Sequence, residues 1–476
     1  MCKQPIVVLV MLAMMASCFK MQATTVTCEA GELSSCVEDL SMTELTVSGT
    51  IDVRDFEFIN EGLPDLLTIN LANAIIESYE CKEDESYFGK SGRFDDNELP
   101  GMCFFGKRYE TVILPVGLKS IGECAMAGCS KLKSISIPES VTSIKEHAFN
   151  GSGIEELSLS GNIETIGRGA FAGCRSLRVV NIEKTARCSI GDGAFARCVM
   201  LEHAKMCNSV VSIGNGAFKG CDSMETLQVE DGSELVSIGG EAFMDTKLAG
   251  MPFVDCGRLA HVGSWAFANA SLESLSLPSD MNDVPEGVFF GNYDAGAMTI
   301  PDAVTCIGKY AFLGCGNIKK FFLPGGMAYI GDNAFEGLSR LTCIVSRADN
   351  VPALGMDVFY GINQPAVSLY VNDNLVNDYN LAEQWNLFEI KGLSGVSVAN
   401  AVHDVNAYFC GDMLEVEACV EITRLTVADI SGIVIVDMRP ADCRATVVVP
   451  RQEPGIYVAR VELSNGYVRT IKLIKR

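Results

Sequence analysis

Apolar positions in the middle of the chain recur in blocks. Each block opens on an Ile-Gly pair or a close variant, at Ile121, Ile144, Ile166, Ile190, Ile213, Ile238, Val262, Val284, Ile307 and Ile330, and successive starts lie 22 to 25 residues apart. Five residues after each start stands an aromatic: Phe149, Phe171, Phe195, Phe218, Phe243, Phe267, Phe289, Phe312 and Phe335, with Met126 in the first block. Alanine precedes it in nine of the ten blocks, and Val288 is the exception. A run of alternating residues then follows, such as Ser134-Ile135-Ser136-Ile137 or Ser274-Leu275-Ser276-Leu277. Period-two alternation predicts a strand with its aliphatic residues inward and its serines outward. Pro138, Pro278, Pro301 and Pro324 close these strands, because proline cannot donate to a ladder. The Ile-Gly-x-x-Ala-Phe segment predicts a turn or short helical piece whose ring plugs the core. One block cannot bury both its strand face and its ring, so the blocks must stack. The pattern predicts a repeat solenoid, a β-ladder of about ten units of 22 to 25 residues.

Three residues beyond the aromatic, Cys129, Cys174, Cys198, Cys221 or Cys315 completes the motif Ile-Gly-x-x-Ala-Phe-x-Gly-Cys-x-x-Leu-x-x-Ile-x-Ile-Pro. This pattern resembles the BspA-type leucine-rich repeat, known from surface proteins of Bacteroidota and some protozoan parasites, and extends over residues 121–355. Residues 356–390, with Leu369-Tyr370-Val371 and Tyr379 to Trp385, look like the cap that closes such arrays. The unit at Ile238 departs most: Thr246 takes the cysteine position and Met251-Pro252-Phe253 replaces the regular strand, which predicts a local bend or bulge.

The flanks differ in character. Residues 1–23 read as a secretory signal, with Lys3 before the apolar run Ile6 to Met15 and cleavage after Ala23. Met15-Ala16-Ser17-Cys18 also resembles a bacterial lipobox, which would make Cys18 a lipidated first residue. Residues 24–120 form an acidic capping subdomain: between 28 and 100 there are 18 acidic side chains against four basic ones, with strand cues such as Leu66 to Leu71. From 391 to 476, short β-runs separated by turn signals, among them Ser431-Gly432 and Asn465-Gly466, predict a small all-β sandwich. Its Val427 to Gly432 and Pro454 to Val461 segments and the basic ending Lys472 to Arg476 are similar to the C-terminal sorting domain of type IX secretion. That resemblance implies a tail that directs passage across the outer membrane.

Composition narrows the function. The 476 residues carry 37 basic and 60 acidic side chains, a net charge of −23. So acidic a surface argues against nucleic acid or an anionic membrane as partner. Only four histidines occur, His147, His203, His261 and His403, and no C-x-x-C, H-E-x-x-H or G-x-S-x-G motif accompanies them. Nothing here calls for a metal, a cofactor or a His-activated nucleophile, and the chain reads as no enzyme. Gly-x-Gly segments such as Gly167-Arg168-Gly169 belong to the repeat turn and lack the remainder of a dinucleotide fingerprint. The chain has 20 cysteines. Those stacked at the repeat position read as a buried thiol ladder, because parallel Cβ vectors place their sulfurs poorly for a bond. Cys28, Cys36, Cys81 and Cys103, off the ladder, are the better disulfide candidates. Trp265 and Trp385, the two tryptophans, read as structural.

Binding would then fall on outward strand positions. Two spots stand out: His203 with Lys205, a basic spot on an acidic protein, and Lys320 with Phe322, a cation beside an exposed aromatic. The family resemblance implies an exported protein at the cell surface or outer membrane. It would use the solenoid face to adhere to an extracellular protein such as a matrix component of a host, or to a neighbouring cell. A glycan-capture module is the alternative, and it would require clustered exposed aromatics.

Overall fold

The computed structural model describes residues 23–183, 185–253, 256–393, 405–410, 413–440, 442–449, 455–463 and 468–475. Cys18 and the secretory segment before Ala23 lie outside the described residues, as does the Asn465-Gly466 turn. The chain divides into two compact units, residues 1–201 and 202–476.

In the first unit the N-terminal region is itself a parallel ladder. Strands Ala23–Cys28, Glu44–Ile51, Thr68–Ile76 and Thr111–Ile113 pair in that order. The helix Val53–Gly62 packs beside it through Phe56 and Ile59, both fully buried. Its start is fixed by a capping box between Asp52 and Asp55. The Asp55 carboxylate also accepts from the Gly31 and Leu33 amides at 2.7 and 3.0 Å, tying helix to ladder. Burial pushes that carboxyl above its usual range. The Ile-Gly rungs begin before Ile121, since Glu98–Leu99 pairs in parallel with Ser120–Ile121. Ser143–Ile144, Thr165–Ile166 and Cys188–Ile190 continue that ladder.

Most repeats therefore contribute to two ladders, of which the alternation predicted one. The second, on the Ile-Gly side, consists of two- to four-residue strands too short to read as a period. On the outer ladder of this unit Glu156–Leu159 pairs with Val179–Ile182. Ser134 to Ile137 keeps the predicted alternation, serines exposed and isoleucines buried, without forming a ladder strand.

The second unit repeats the scheme. Val210–Ile213, Ser237–Ile238 and His261–Val262 form one Ile-Gly stretch. Asp283–Val284, Cys306–Ile307, Tyr329–Ile330 and Ala353–Leu354 form another. The outer ladder runs in three sections: His203–Met206 with Thr226–Val229, Ser274–Ser276 with Ala297–Thr299, and Lys320–Leu323, Cys343–Ser346, Ser368–Val371 and Glu389–Gly392 in succession. The break between the first two falls at the irregular segment Met251 to Phe253, as its sequence led us to expect. There Phe253 turns inward, its ring 5.4 Å from Phe243 and 6.0 Å from Phe267.

Turn geometry explains the motif. The third residue after each start is left-handed, with φ between 51° and 62° from Cys124 through Asp357. Four of these positions are glycine (Gly169, Gly193, Gly216, Gly287), and the others are strained for an L-residue. The glycine of the Ile-Gly pair has a separate cause. At Gly167 an added Cβ would lie 2.7 Å from the Lys145 carbonyl carbon of the preceding rung, so neighbouring backbones touch there.

The rings stack as a column. Phe149 and Phe171 lie 5.0 Å apart at 3°, and Phe171 and Phe195 5.3 Å at 3°. In the second unit the column runs from Phe218 through Phe243, Phe267, Phe289, Phe312 and Phe335 to Phe359, with centroid spacings of 5.4 to 6.1 Å. Trp385 and Phe388 close it, 5.0 and 4.9 Å from Phe359. Gln384 finishes the end: its side-chain oxygen accepts from the Val358 amide at 2.9 Å and its amide donates to the Gly355 carbonyl at 2.7 Å.

The repeat cysteines are buried hydrogen-bond donors. Cys129, Cys174 and Cys198 donate to the Phe104, Phe149 and Phe171 carbonyls of the preceding rung at 3.1 to 3.2 Å, and Cys315 to Phe289 at 3.3 Å. Burial pushes the Cys174 thiol up to about 11 and those of Cys129 and Cys315 up to about 12. Cys28, Cys36, Cys81 and Cys103, expected as disulfide candidates, form no disulfide here: Cys28 and Cys103 donate to the Thr50 and Ala125 carbonyls at 3.7 and 3.9 Å, and Cys36 is exposed.

The C-terminal β region is antiparallel throughout. Its long strand Met413–Asp429 pairs with Asn406–Cys410, Val434–Met438, Asp442–Val448 and Gly455–Leu463, and the last of these with Val468–Lys475. Register shifts between Glu417 and Ile422, and between Ile422 and Arg424, let both halves of the long strand feed one core. Leu414, Val416, Leu425, Val427, Val447, Val461 and Leu473 meet there.

Candidate interaction surface

Outward side chains on the outer ladder stand in register, one per rung at each level. Glu156 and Ser158 meet Val179 and Asn181 in the first unit, and His203 and Lys205 meet Thr226 and Gln228 in the second. His203 and Lys205 do share a face. Their expected basic character is not retained, because Lys205 pairs with Glu230 at 3.0 Å and borders a depression lined by Gln228, Glu230 and Asp231. The His203 ring nitrogen is spent on the Thr226 hydroxyl at 2.8 Å.

Lys320 and Phe322 also share an outward face, two residues apart on one strand. Phe322, expected to be exposed, is only 9% exposed. The Arg347 guanidinium lies 5.8 Å from its ring centroid. Val345, outward on the next strand in register with Phe322, is 2% exposed. Tyr370 follows in register with Val345, and Lys391 with Tyr370, its ammonium 5.8 Å from the Tyr370 ring. Four successive rungs thus carry Phe322, Val345, Tyr370 and Lys391 at one outward level, where earlier rungs carry polar residues: Ser158 and Asn181, Lys205 and Gln228, Ser276 and Thr299. The next level holds Lys320, Cys343, Ser368 and Glu389. Lys391 is paired with Glu389 at 2.6 Å, which holds that carboxyl below its usual range. The sequence reading found the first pair and missed Val345, Arg347, Tyr370 and Lys391. Register alone brings these together across 70 residues, although the replacement of serine by apolar residues at matching repeat positions was a usable signal.

A second surface lies on the turns. Trp265 and Tyr310 both occupy the left-handed position, with φ of 62° and 59°. Gly287 occupies the rung between them, and a Cβ there would lie 2.4 Å from Trp265 Cδ2. The indole is 5.3 Å from the Phe290 ring and 6.1 Å from the Tyr310 ring, and all three are half-buried. The two tryptophans differ in burial: Trp265 is half-buried on this ridge, and Trp385 is buried, donating to the Pro352 carbonyl at 3.0 Å. Backbone bonds fix the ridge: the Trp265, Gly287 and Tyr310 amides donate to the Glu286, Lys309 and Asp332 carbonyls at 2.8 to 3.0 Å.

Among the described residues no three His, Cys, Asp or Glu side chains converge as a metal site requires. No described helix is long and apolar enough to cross a membrane. A cleft of about 760 Å³ at the end of the solenoid is lined by Asp332, Val351 to Asp357 and Ala382 to Trp385.

Among solved structures, a leucine-rich repeat protein of Bacteroides ovatus is 22% identical, covering 65% of this chain and 90% of its own, with a TM-score of 0.45. A leucine rich cell surface protein of Faecalibacterium prausnitzii is 19% identical over 46% of this chain and 69% of its own, with a TM-score of 0.29. The pneumococcal vaccine antigen PcpA is 17% identical over 78% and 83%, with a TM-score of 0.35. No curated protein matches the sequence. The family model of the BspA type leucine rich repeat region matches residues 97–225 and 211–342. That span is just over half of the chain, its repeats coincide with the Ile-Gly rungs and stacked rings described above, and the chain belongs to the BspA-type leucine-rich repeat family.

Proposed function

We propose that this is a non-enzymatic, exported repeat protein that adheres to an extracellular protein of a host or a neighbouring cell. The contact surface is the outer ladder between Lys320 and Lys391. One observation carries the reading: Arg347, Tyr370 and Lys391 stand partly exposed over the buried Phe322 and Val345, at an outward level that bears no aromatic ring in earlier rungs. Aromatic rings beside Arg are the composition of interface centres. Lys320 sits at the rim, where a charge governs encounter rate and salt dependence. Export is read from residues 1–23, with Cys18 as the alternative lipid anchor, and the β-region from 391 onward is read as a sorting or accessory tail.

The test is a binding screen of the full chain against matrix proteins at two salt concentrations. Lys320→Glu combined with Arg347→Glu leaves the rings in place and reverses the local charge. Saturable binding that weakens with salt and is lost in this variant is the expected result. Saturable binding that the variant leaves unchanged would refute this surface, and capture of glycans with no protein bound would replace adhesion by glycan capture.

A further inference from the structure

We infer that the turn ridge of Trp265, Phe290 and Tyr310 is a platform that binds a linear, neutral hexose chain. It lies on the turns rather than the outer ladder and goes beyond the adhesive reading. Three observations carry it.

The first is placement against backbone preference. Every repeat puts a left-handed residue at this turn position, where glycine costs least and bulky side chains are disfavoured. The chain puts tryptophan and tyrosine there, two rungs apart, with Gly287 between them. Gly287 gives the indole room, since any side chain there would collide with it.

The second is that the core does not need these rings. Phe267 and Phe289, in the same repeats, are the fully buried members of the stacked column. Trp265, Phe290 and Tyr310 form a separate aromatic group, half-buried and outside that column, the indole tilted 55° to the Phe290 ring and 35° to the Tyr310 ring. Trp265 and Tyr310 stand two rungs apart and their rings lean together to 6.1 Å between centroids, so the group makes one compact patch across successive rungs of the solenoid.

The third is the chemistry at the margin. Glu286 adjoins Gly287, and Lys309 adjoins Tyr310 and pairs with Asp332 at 3.2 Å. The Met356 amide and Lys309 hold the Asp332 carboxyl below its usual range, so it stays an acceptor. Aromatic faces bordered by fixed acceptors and a donor match a ligand with an apolar C–H face and a rim of hydroxyls. A pyranose has both. The carboxylates and the net charge of −23 select against an anionic chain.

The chain has two tryptophans and Trp385 is buried in the cap, so emission changes on ligand addition report on Trp265. Full-length protein would be titrated with cellohexaose, laminarihexaose and mannohexaose, and with tetramethylammonium as a cationic control. We expect a saturable change in emission with at least one hexose chain and none with the cation. Tyr310→Ala, which keeps the reporter, should weaken binding roughly tenfold, the scale of losing one aromatic contact. By calorimetry Trp265→Tyr should retain binding and Trp265→Gln should lose it, which keeps the test decisive if Tyr310→Ala does not fold. Lys320→Glu with Arg347→Glu should leave sugar binding intact, separating this site from the adhesive face. No response to any hexose chain, a response to the cation alone, or equal binding by Trp265→Tyr and Trp265→Gln would overturn the inference.

Discussion

Asn292 offers the sharpest check on how the repeats tolerate irregularity. In regular repeats the leucine three residues after the cysteine donates its amide to the cysteine carbonyl, as Leu177 does to Cys174 at 3.1 Å and Leu201 to Cys198 at 2.9 Å. The repeat at Val262 has Ala270-Ser271-Leu272, one residue shorter, so Leu272 loses that acceptor. Asn292, at the cysteine position of the next repeat, supplies it: its side-chain oxygen accepts from Leu272 at 2.8 Å. Its amide donates to the Phe267 and Phe289 carbonyls, both at 2.9 Å, the first replacing what a thiol does elsewhere. The side chain is fully buried. Asn292→Ala removes an acceptor from Leu272 and a donor from Phe267, while Phe289 keeps the Cys315 thiol. Each abandoned buried group costs about 1–3 kcal/mol, so the loss should be about 2–6 kcal/mol. Asn292→Cys restores the regular motif and the donor to Phe267 but supplies no acceptor, and should cost about half as much. Urea unfolding followed by Trp265 emission measures both. If Asn292→Ala falls within about 0.5 kcal/mol of the parent, or if Asn292→Cys is no better than Asn292→Ala, the account of the deletion is wrong.

Further outcomes follow from the buried thiols and the cap. In the folded chain the Cys129, Cys174 and Cys315 thiols stand near 11 to 12 rather than 9. Groups raised in the folded state contribute fully below pH 9, and that contribution is lost as pH climbs toward 11 to 12, so unfolding free energy should fall across this window. At pH 8 iodoacetamide should label the exposed Cys36 in the native protein and label these three only in urea, read by peptide mass. Gln384 is left-handed at φ 62° and bonds Val358 and Gly355. Gln384→Ala keeps the backbone strain and forfeits both bonds, so amide exchange over 354–362 should lose about 1–3 kcal/mol of protection; Gln384→Gly, which relieves the strain, should lose less.

Much of this protein could be read from residue order because its contacts are periodic. Stacking places residue i against its equivalent one repeat later, so the Phe column and thiol positions follow from alignment. The Ile-Gly ladder escaped notice because its strands are two to four residues long. In the N-terminal region, the parallel pairing of Ala23 to Cys28 with Glu44 to Ile51 and Thr68 to Ile76 is visible only once register is known. The ion pair at Lys205 was hidden for a different reason. A lysine's charge is legible in sequence, but Glu230, which neutralises Lys205, lies one repeat away.

Sequence by itself determined the repeat, its length, its inward side chains and the family, since each depends on period and residue type. Tertiary structure alone decided which outward residues meet. It buried Phe322 beneath Arg347, set Val345 and Tyr370 beside it, and let Trp265 lie across Gly287 toward Tyr310. Solvent-facing positions carry no burial requirement that would mark them in the sequence. Their neighbours are set by strand register and by the left-handed turn, both properties of the stacked backbone.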